Sequence, residues 1–169
     1  MNEISRHFTF DEAIRTEQRA WIDANRAWAE KYLAHVLRHG RETMDAIRDI
    51  LGAPVHVSSW VRCPGLNSAV GGSPTSDHTV GMLEHDQEIE RVGATDFTAP
   101  AFGTPYEVAL ALRAAMLSGK LQLRQLIFEH TWVHASSPRM CRGFQEPALN
   151  QVLTLKRGGG YMPGIVREA

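Results

Sequence analysis

Apolar positions in the first third of the chain recur at spacings of three and four, the period of a helix face. Residues 8 to 20, FTFDEAIRTEQRA, read as a short amphipathic helix starting near Thr9 or Asp11. Asp23 or Asn25 can cap a longer one. Along it Ala29, Tyr32, Leu33, Val36, Leu37, Met44, Ile47 and Leu51 make a core-facing stripe with one long step across Gly40. Glycine costs a helix interior about 1 kcal/mol against alanine, so Gly40 is where this helix loosens or splits, and Gly52 can end it. The pattern then shortens. Residues 54 to 58 alternate as a strand with Val55 and Val57 on one face. Cys63-Pro64-Gly65 turns the chain, LNSAV is about one helical turn, and Gly71-Gly72-Ser73-Pro74 is a tight loop. Residues 82 to 92 are polar and read as an excursion, after which Gly93 to Phe97 resumes as a strand. Thr104-Pro105-Tyr106-Glu107 is a capping box with proline at the first helical position, opening a helix that should end at Gly119. LQLRQLIF and WVHAS follow as two strands, and the glycine-rich tail from 137 to 169 reads as irregular. Helices first and short strands afterwards predict an α+β fold: a small antiparallel sheet with N-terminal helices.

Length and composition narrow this to one domain. Its parts are a helical segment over 8–52, a core over 54–136 and the tail, with no repeat or linker to mark a second unit. Hydrophobic residues make up 43% and charged residues 22%, ordinary for a globular chain. The net charge of −1 gives no broad pull toward nucleic acid or an anionic membrane, and a monomer is expected. No apolar run approaches a membrane span, and the opening MNEISRHFTFDE is too polar for a signal peptide. Cys63 and Cys141 read as two separate thiols, with one bridge between them as the alternative in an oxidising compartment, and they lack the spacing of a zinc knuckle. Trp21 and Trp28 read as packing residues. His35 and His39 share a helix face without an acidic partner between them, and read as surface or boundary residues.

The candidate chemistry lies in residues 58 to 97 and 128 to 136. His78 sits in a loop of small residues where no apolar face calls for it. Asp96 sits on a predicted strand, where a carboxylate is costly unless paired or bound to a metal. His134 lies on the WVHAS strand with His130 four residues before it, and either could reach a metal. Histidine, aspartate and histidine from separate segments suit one tetrahedral zinc ion with an open fourth position. Glu129 is the carboxylate nearest the histidine pair, the residue type needed to move a proton in a zinc hydrolase. Arg62, before a Cys-Pro turn, could hold an oxyanion or a substrate carboxylate.

SSWVRCPGLNSAVGGSPTSDHTVG resembles the Ser-x-Tyr-Arg-x-Pro-x-x-Asn…Val-Gly-Gly-x-x-x-Ser-x-His-x-x-Gly motif of D-alanyl-D-alanine carboxypeptidase-like zinc peptidases. GATDF and QLIFEHTWVHAS are similar to that family's later segments, and FTFDEAIR and IRDILGAPVHVSS to its phage and prophage branch, so the likeness runs from about residue 8 to 136, with weaker echoes in LNQVLTLKRGGGYMPG. The resemblance implies a hedgehog-type fold with zinc on His78, Asp96 and His134 and with Arg62 as the transition-state or substrate-binding arginine; on the residues themselves Glu129 is expected in catalysis, and Ser76, His130 and Trp132 against the substrate. The resemblance further implies hydrolysis of peptide bonds in peptidoglycan stem peptides, as a D,D-carboxypeptidase or L,D-endopeptidase. Such an enzyme, a phage lysin or tail-associated protein, would reach the wall through lysis or injection. Three departures stand out. Val61 replaces the tyrosine before the arginine. His78 and Asp96 lie 18 residues apart around an insertion, which makes His85 a rival ligand in the uninserted register. Thr131, which cannot act as a base, occupies the usual catalytic-acid position, so Glu129 must serve. The alternative is a non-catalytic zinc-binding or virion structural protein that keeps the fold.

Overall fold

The computed structural model describes residues 2–84, 89–141, 144–145 and 149–167. Helix α1 (Phe10–Ala13) starts where the sequence places it, on a Thr9/Glu12 capping box, but ends after one turn. Its apolar face is exhausted there: Phe8, Phe10, Ala13 and Ile14 are buried, and the next residues, RTEQR, are polar.

The long helix forms in pieces: α2 (Ile22–Lys31), α3 (Leu33–Arg38), a π-helical turn (His39–Met44) and α4 (Asp45–Leu51). The break falls at Tyr32, and the π turn contains Gly40, where a β-carbon would lie 3.3 Å from the Trp60 ring. Ala29, Val36, Met44, Ile47 and Leu51 of the expected stripe are buried, and Gly52 ends α4 in the left-handed region with φ 58°. Neither Asp23 nor Asn25 caps the helix. Asn25 lies inside α2, fully buried, where its Nδ2 donates to the carbonyls of Ile14 and Val61 and its Oδ1 accepts from the Cys63 N–H. One side chain thereby fixes the approach to Arg62. His39 also departs from expectation. It is completely buried, with Nδ1 2.6 Å from Ser137 Oγ and Nε2 2.8 Å from Thr95 Oγ1. Burial lowers its pKa to about 3, assisted by the charges of His78 and His134, so it stays neutral. His35 is a boundary residue, as read, against Glu90. Trp21 packs on Gly65, and Trp28 on Tyr32.

The main sheet has six strands in the order β1-β4-β6-β5-β9-β10, where β1 is His56–Ser59, β4 Ala94–Thr98, β5 Gln125–Phe128, β6 Val133–Ser136, β9 Gln151–Leu155 and β10 Tyr161–Pro163. All neighbours run antiparallel except β5 and β9, which are parallel, so the sheet is mixed. The tail expected to be irregular supplies that parallel partner. The polar excursion also departs from a simple loop: β2 (Leu83–Glu84) and β3 (Ile89–Glu90) pair, and a second sheet continues through β7 (Met140–Cys141) and β8 (Phe144–Gln145). One face of the main sheet carries Val57, Phe97, Val133, Ala135, Leu126 and Phe128 into the core. There it meets α4 and α6 (Pro105–Leu117), which opens on the expected Thr104/Glu107 capping box and stops before Gly119. Helix α5 (Pro64–Ala69) starts directly at the Cys-Pro step with Cys63 as its cap. No disulfide joins Cys63 to Cys141. No described helix is long and apolar enough to cross a membrane.

Candidate metal centre

The opposite face of the sheet carries the site. Strand pairing aligns Ser59 with Asp96, Asp96 with His134, His134 with Ile127, and Ile127 with Leu153. Side chains alternate along strands, so these five residues stand on one face in one row. His78 comes to the row from the loop after α5, tied in by the Arg62 N–H, which donates to its carbonyl at 2.9 Å.

His78, Asp96 and His134 are all buried, and each offers a ligand atom within 4.8 Å of the other two. His78 Nδ1 lies 2.6 Å from the Trp60 carbonyl oxygen, an acceptor, so Nδ1 must carry the hydrogen. That leaves Nε2 with a bare lone pair aimed at Asp96 Oδ1, 3.2 Å away, while His134 Nδ1 approaches the same oxygen at 2.8 Å. A bare imidazole nitrogen, a second imidazole nitrogen and a carboxylate oxygen converge on one buried point, and two nitrogens with one oxygen are a zinc-type donor set. The residues fit a metal ion.

Arg62 completes the inner cluster: Nη2 donates to Asp96 Oδ2 at 2.6 Å and Nε to Ser59 Oγ at 2.8 Å. Burial works to raise the Asp96 carboxyl, but the two histidines and their hydrogen bonds outweigh it and hold the group well below the carboxylate range. Burial likewise lowers His78. In His134 burial is overcome by the Asp96 hydrogen bond and charge, and the group is raised.

The trio opens into a cleft of about 670 Å³. Glu129, Ser76, Trp132 and Arg62 line the same cleft, so the structure brings together every residue singled out from the sequence except two. His130 is one. Strand β5 has ended by this point, and His130 takes a left-handed turn conformation with φ 60°. Its ring faces away, with Nε2 donating to the Leu155 carbonyl at 2.7 Å, and lines a separate cavity with Tyr106 and Arg167. It therefore does not share the strand face of His134. The other is His85, which lies outside the described residues. Thr131 sits in the turn, its N–H 2.7 Å from the Glu129 carbonyl. Burial, then the Asp96 charge, pushes the Glu129 carboxyl up, against the opposing pull of His134 and Arg62.

Several cleft residues were not anticipated. Asp77, buried next to His78, bridges Arg139 Nε at 2.7 Å and Arg124 Nε at 3.3 Å. Gln151, Leu153 and Tyr161 form the far wall. The alternation in QVLTL was the available signal for that wall, overshadowed by the glycine-rich run after it.

A sheet face that gathers two histidines and an aspartate around one point, with a carboxylate and a guanidinium beside them, is the arrangement of a mononuclear metallohydrolase. Residues 6–136 match the family model described as Peptidase M15, and the chain belongs to this family of zinc peptidases related to D-alanyl-D-alanine carboxypeptidase. No curated protein shows a significant match.

Proposed function

We propose that the protein is a zinc-dependent peptidase that cleaves peptide bonds in peptidoglycan stem peptides. The observation that carries this reading is the opening of the His78, Asp96 and His134 trio onto the same cleft as Glu129 and Arg62. His78, Asp96 and His134 would hold the zinc ion, which would supply Lewis-acid chemistry for amide hydrolysis at neutral pH. The chain supplies the rest. Glu129 accepts the proton of the attacking water on its carboxylate and returns it to the leaving amine nitrogen. Its raised pKa suits both steps, since a weaker acid is a better base and still delivers the proton. Arg62 fixes the Asp96 carboxylate through Nη2 and presents positive charge to the cleft, where the carbonyl oxygen becomes an oxyanion. Trp132 and Ser76 flank the substrate path, and the cleft is roomy enough for a short peptide.

One observation favours a second reading, a zinc-binding protein without catalysis. The position that usually bears the catalytic acid is Thr131. Incubation of the metal-loaded protein with purified peptidoglycan and synthetic stem peptides decides between them. The peptidase reading expects new amino groups, abolished by chelation and restored by zinc. Stoichiometric zinc without turnover across the panel would favour the non-catalytic protein.

A further inference from the structure

The family match ends at residue 136, yet the cleft continues into the hairpin formed by β9 and β10. This hairpin closes through residues 156–160, where the Lys156 N–H donates to the Gly160 carbonyl and Gly159 and Gly160 take φ of 88° and 77°. Such a turn needs glycine. Tyr161 follows at once, on the edge strand.

The strand register places Tyr161 relative to Glu129. Phe128 pairs with Thr154, so Glu129 is level with Leu155, and Leu155 pairs with Tyr161. Leu155 has the parity of Gln151 and Leu153, both of which line the cleft. Glu129 and Tyr161 therefore stand on the cleft face with one strand between them. At a strand spacing of about 4.8 Å their backbones are roughly 10 Å apart, room for one extended peptide segment. Tyr161 is half-exposed, as a residue on an open wall must be. Burial, then the charges of Glu129 and Asp96, holds its phenol above the ordinary value, so it remains an O–H donor at neutral pH. His130 fixes the hairpin from behind: its Nε2 donates to the carbonyl of Leu155, Tyr161's own pairing partner, and its ring rests against Phe128 at 5.1 Å.

We infer that Tyr161 binds substrate by donating its phenolic hydrogen to a carbonyl or carboxylate oxygen of the peptide beside the scissile bond, and that His130 is the positioning residue for it. The inference rests on the peptidase reading for its substrate class. The experiment uses the full chain loaded with zinc, and as probes a stem pentapeptide ending in D-alanyl-D-alanine and the corresponding tetrapeptide. Hydrolysis is followed by chromatography, and affinity by calorimetry in a Glu129→Gln background. Tyr161→Phe should keep zinc content and Tm, raise KM and weaken peptide binding roughly tenfold, and leave kcat within about threefold, the pattern of a contact made equally in ground and transition states. His130→Ala should give the same loss, the double variant should be no worse than either single one, and His130→Gln should recover part of it. Unchanged KM and affinity in Tyr161→Phe would overturn the inference, as would failure of the parent protein to bind either peptide. Binding that depends on Tyr161 without hydrolysis by the unmutated protein would uphold the contact and remove the peptidase reading alone.

Discussion

Glu129 holds its place through the turn that follows it. Its N–H donates to the Trp132 carbonyl at 3.1 Å, extending the β5–β6 ladder by one step, and the side chain then faces the cleft rather than the core. Glu129→Gln keeps the shape and removes the ability to carry a proton. The expected outcome is unchanged zinc content and stability with kcat lowered by roughly a hundredfold or more. Wild-type turnover in that variant would assign the base elsewhere. Asp96 is the second test at this scale. Asp96→Asn removes the anionic ligand and leaves the Arg62 guanidinium facing a neutral amide, so zinc affinity should fall on the order of a hundredfold or more. Metal analysis after dialysis reads this directly. Full retention there, with loss in His85→Ala, would move the ligand to His85. The trio was open to inspection in the sequence because His78 sits in a loop of small residues with no apolar face to call for it, Asp96 places a costly carboxylate on a strand, and His134 interrupts a strand of apolar and small residues. His39 was not, because both its hydrogen-bond partners, Thr95 and Ser137, lie more than fifty residues away.

At the scale of elements, several local start and stop signals were read correctly, whereas the extent of α1, the break at Tyr32 and pairings between distant segments were not. The helix start near Thr9, the capping box at Thr104 and the terminator Gly52 act within a few residues, and all three occur where expected. The two-residue strands β2, β3 and β7 have no periodicity to detect, and exist only because the excursion folds back onto the segment after β6. Strand β9 alternates, but its parallel partner β5 lies across the β6 strand and the segment after it. Asn25 was misread as a cap because its three partners, Ile14, Val61 and Cys63, are brought to it by tertiary structure. Its removal tests that account. Asn25→Ala leaves one N–H and two carbonyls without the partner they have now, in a fully buried place. Unfolding by denaturant should show a loss of about 2–3 kcal/mol, with the helix content of the native state preserved. A change within about 0.5 kcal/mol would mean that α2 and the Arg62 loop are held by packing alone.

Across the whole molecule, His39 ties the helical layer to the sheet that bears the ligands. From the π turn it reaches β4 through Thr95 and the end of β6 through Ser137, and its ring meets Trp60 edge-on at 5.0 Å. Trp60 in turn provides the carbonyl that orients His78. Gly93 permits the close approach, since a β-carbon there would come within 2.9 Å of the His39 ring. This junction is built for a neutral imidazole and should make stability depend on pH. The folded value of about 3 lies below the ordinary 6.5, so as pH falls the unfolded chain takes up the proton first. The His39 contribution is therefore complete above about pH 6.5 and is lost as pH falls toward 3, at a slope of about 1.4 kcal/mol per pH unit inside that window. Acid also protonates the metal ligands, so the comparison is made between chelated wild type and chelated His39→Gln, which share those groups. Denaturant unfolding at intervals from pH 7 to 4 should give the wild type the steeper decline. Parallel curves for the two proteins would show that His39 accepts its proton as readily folded as unfolded.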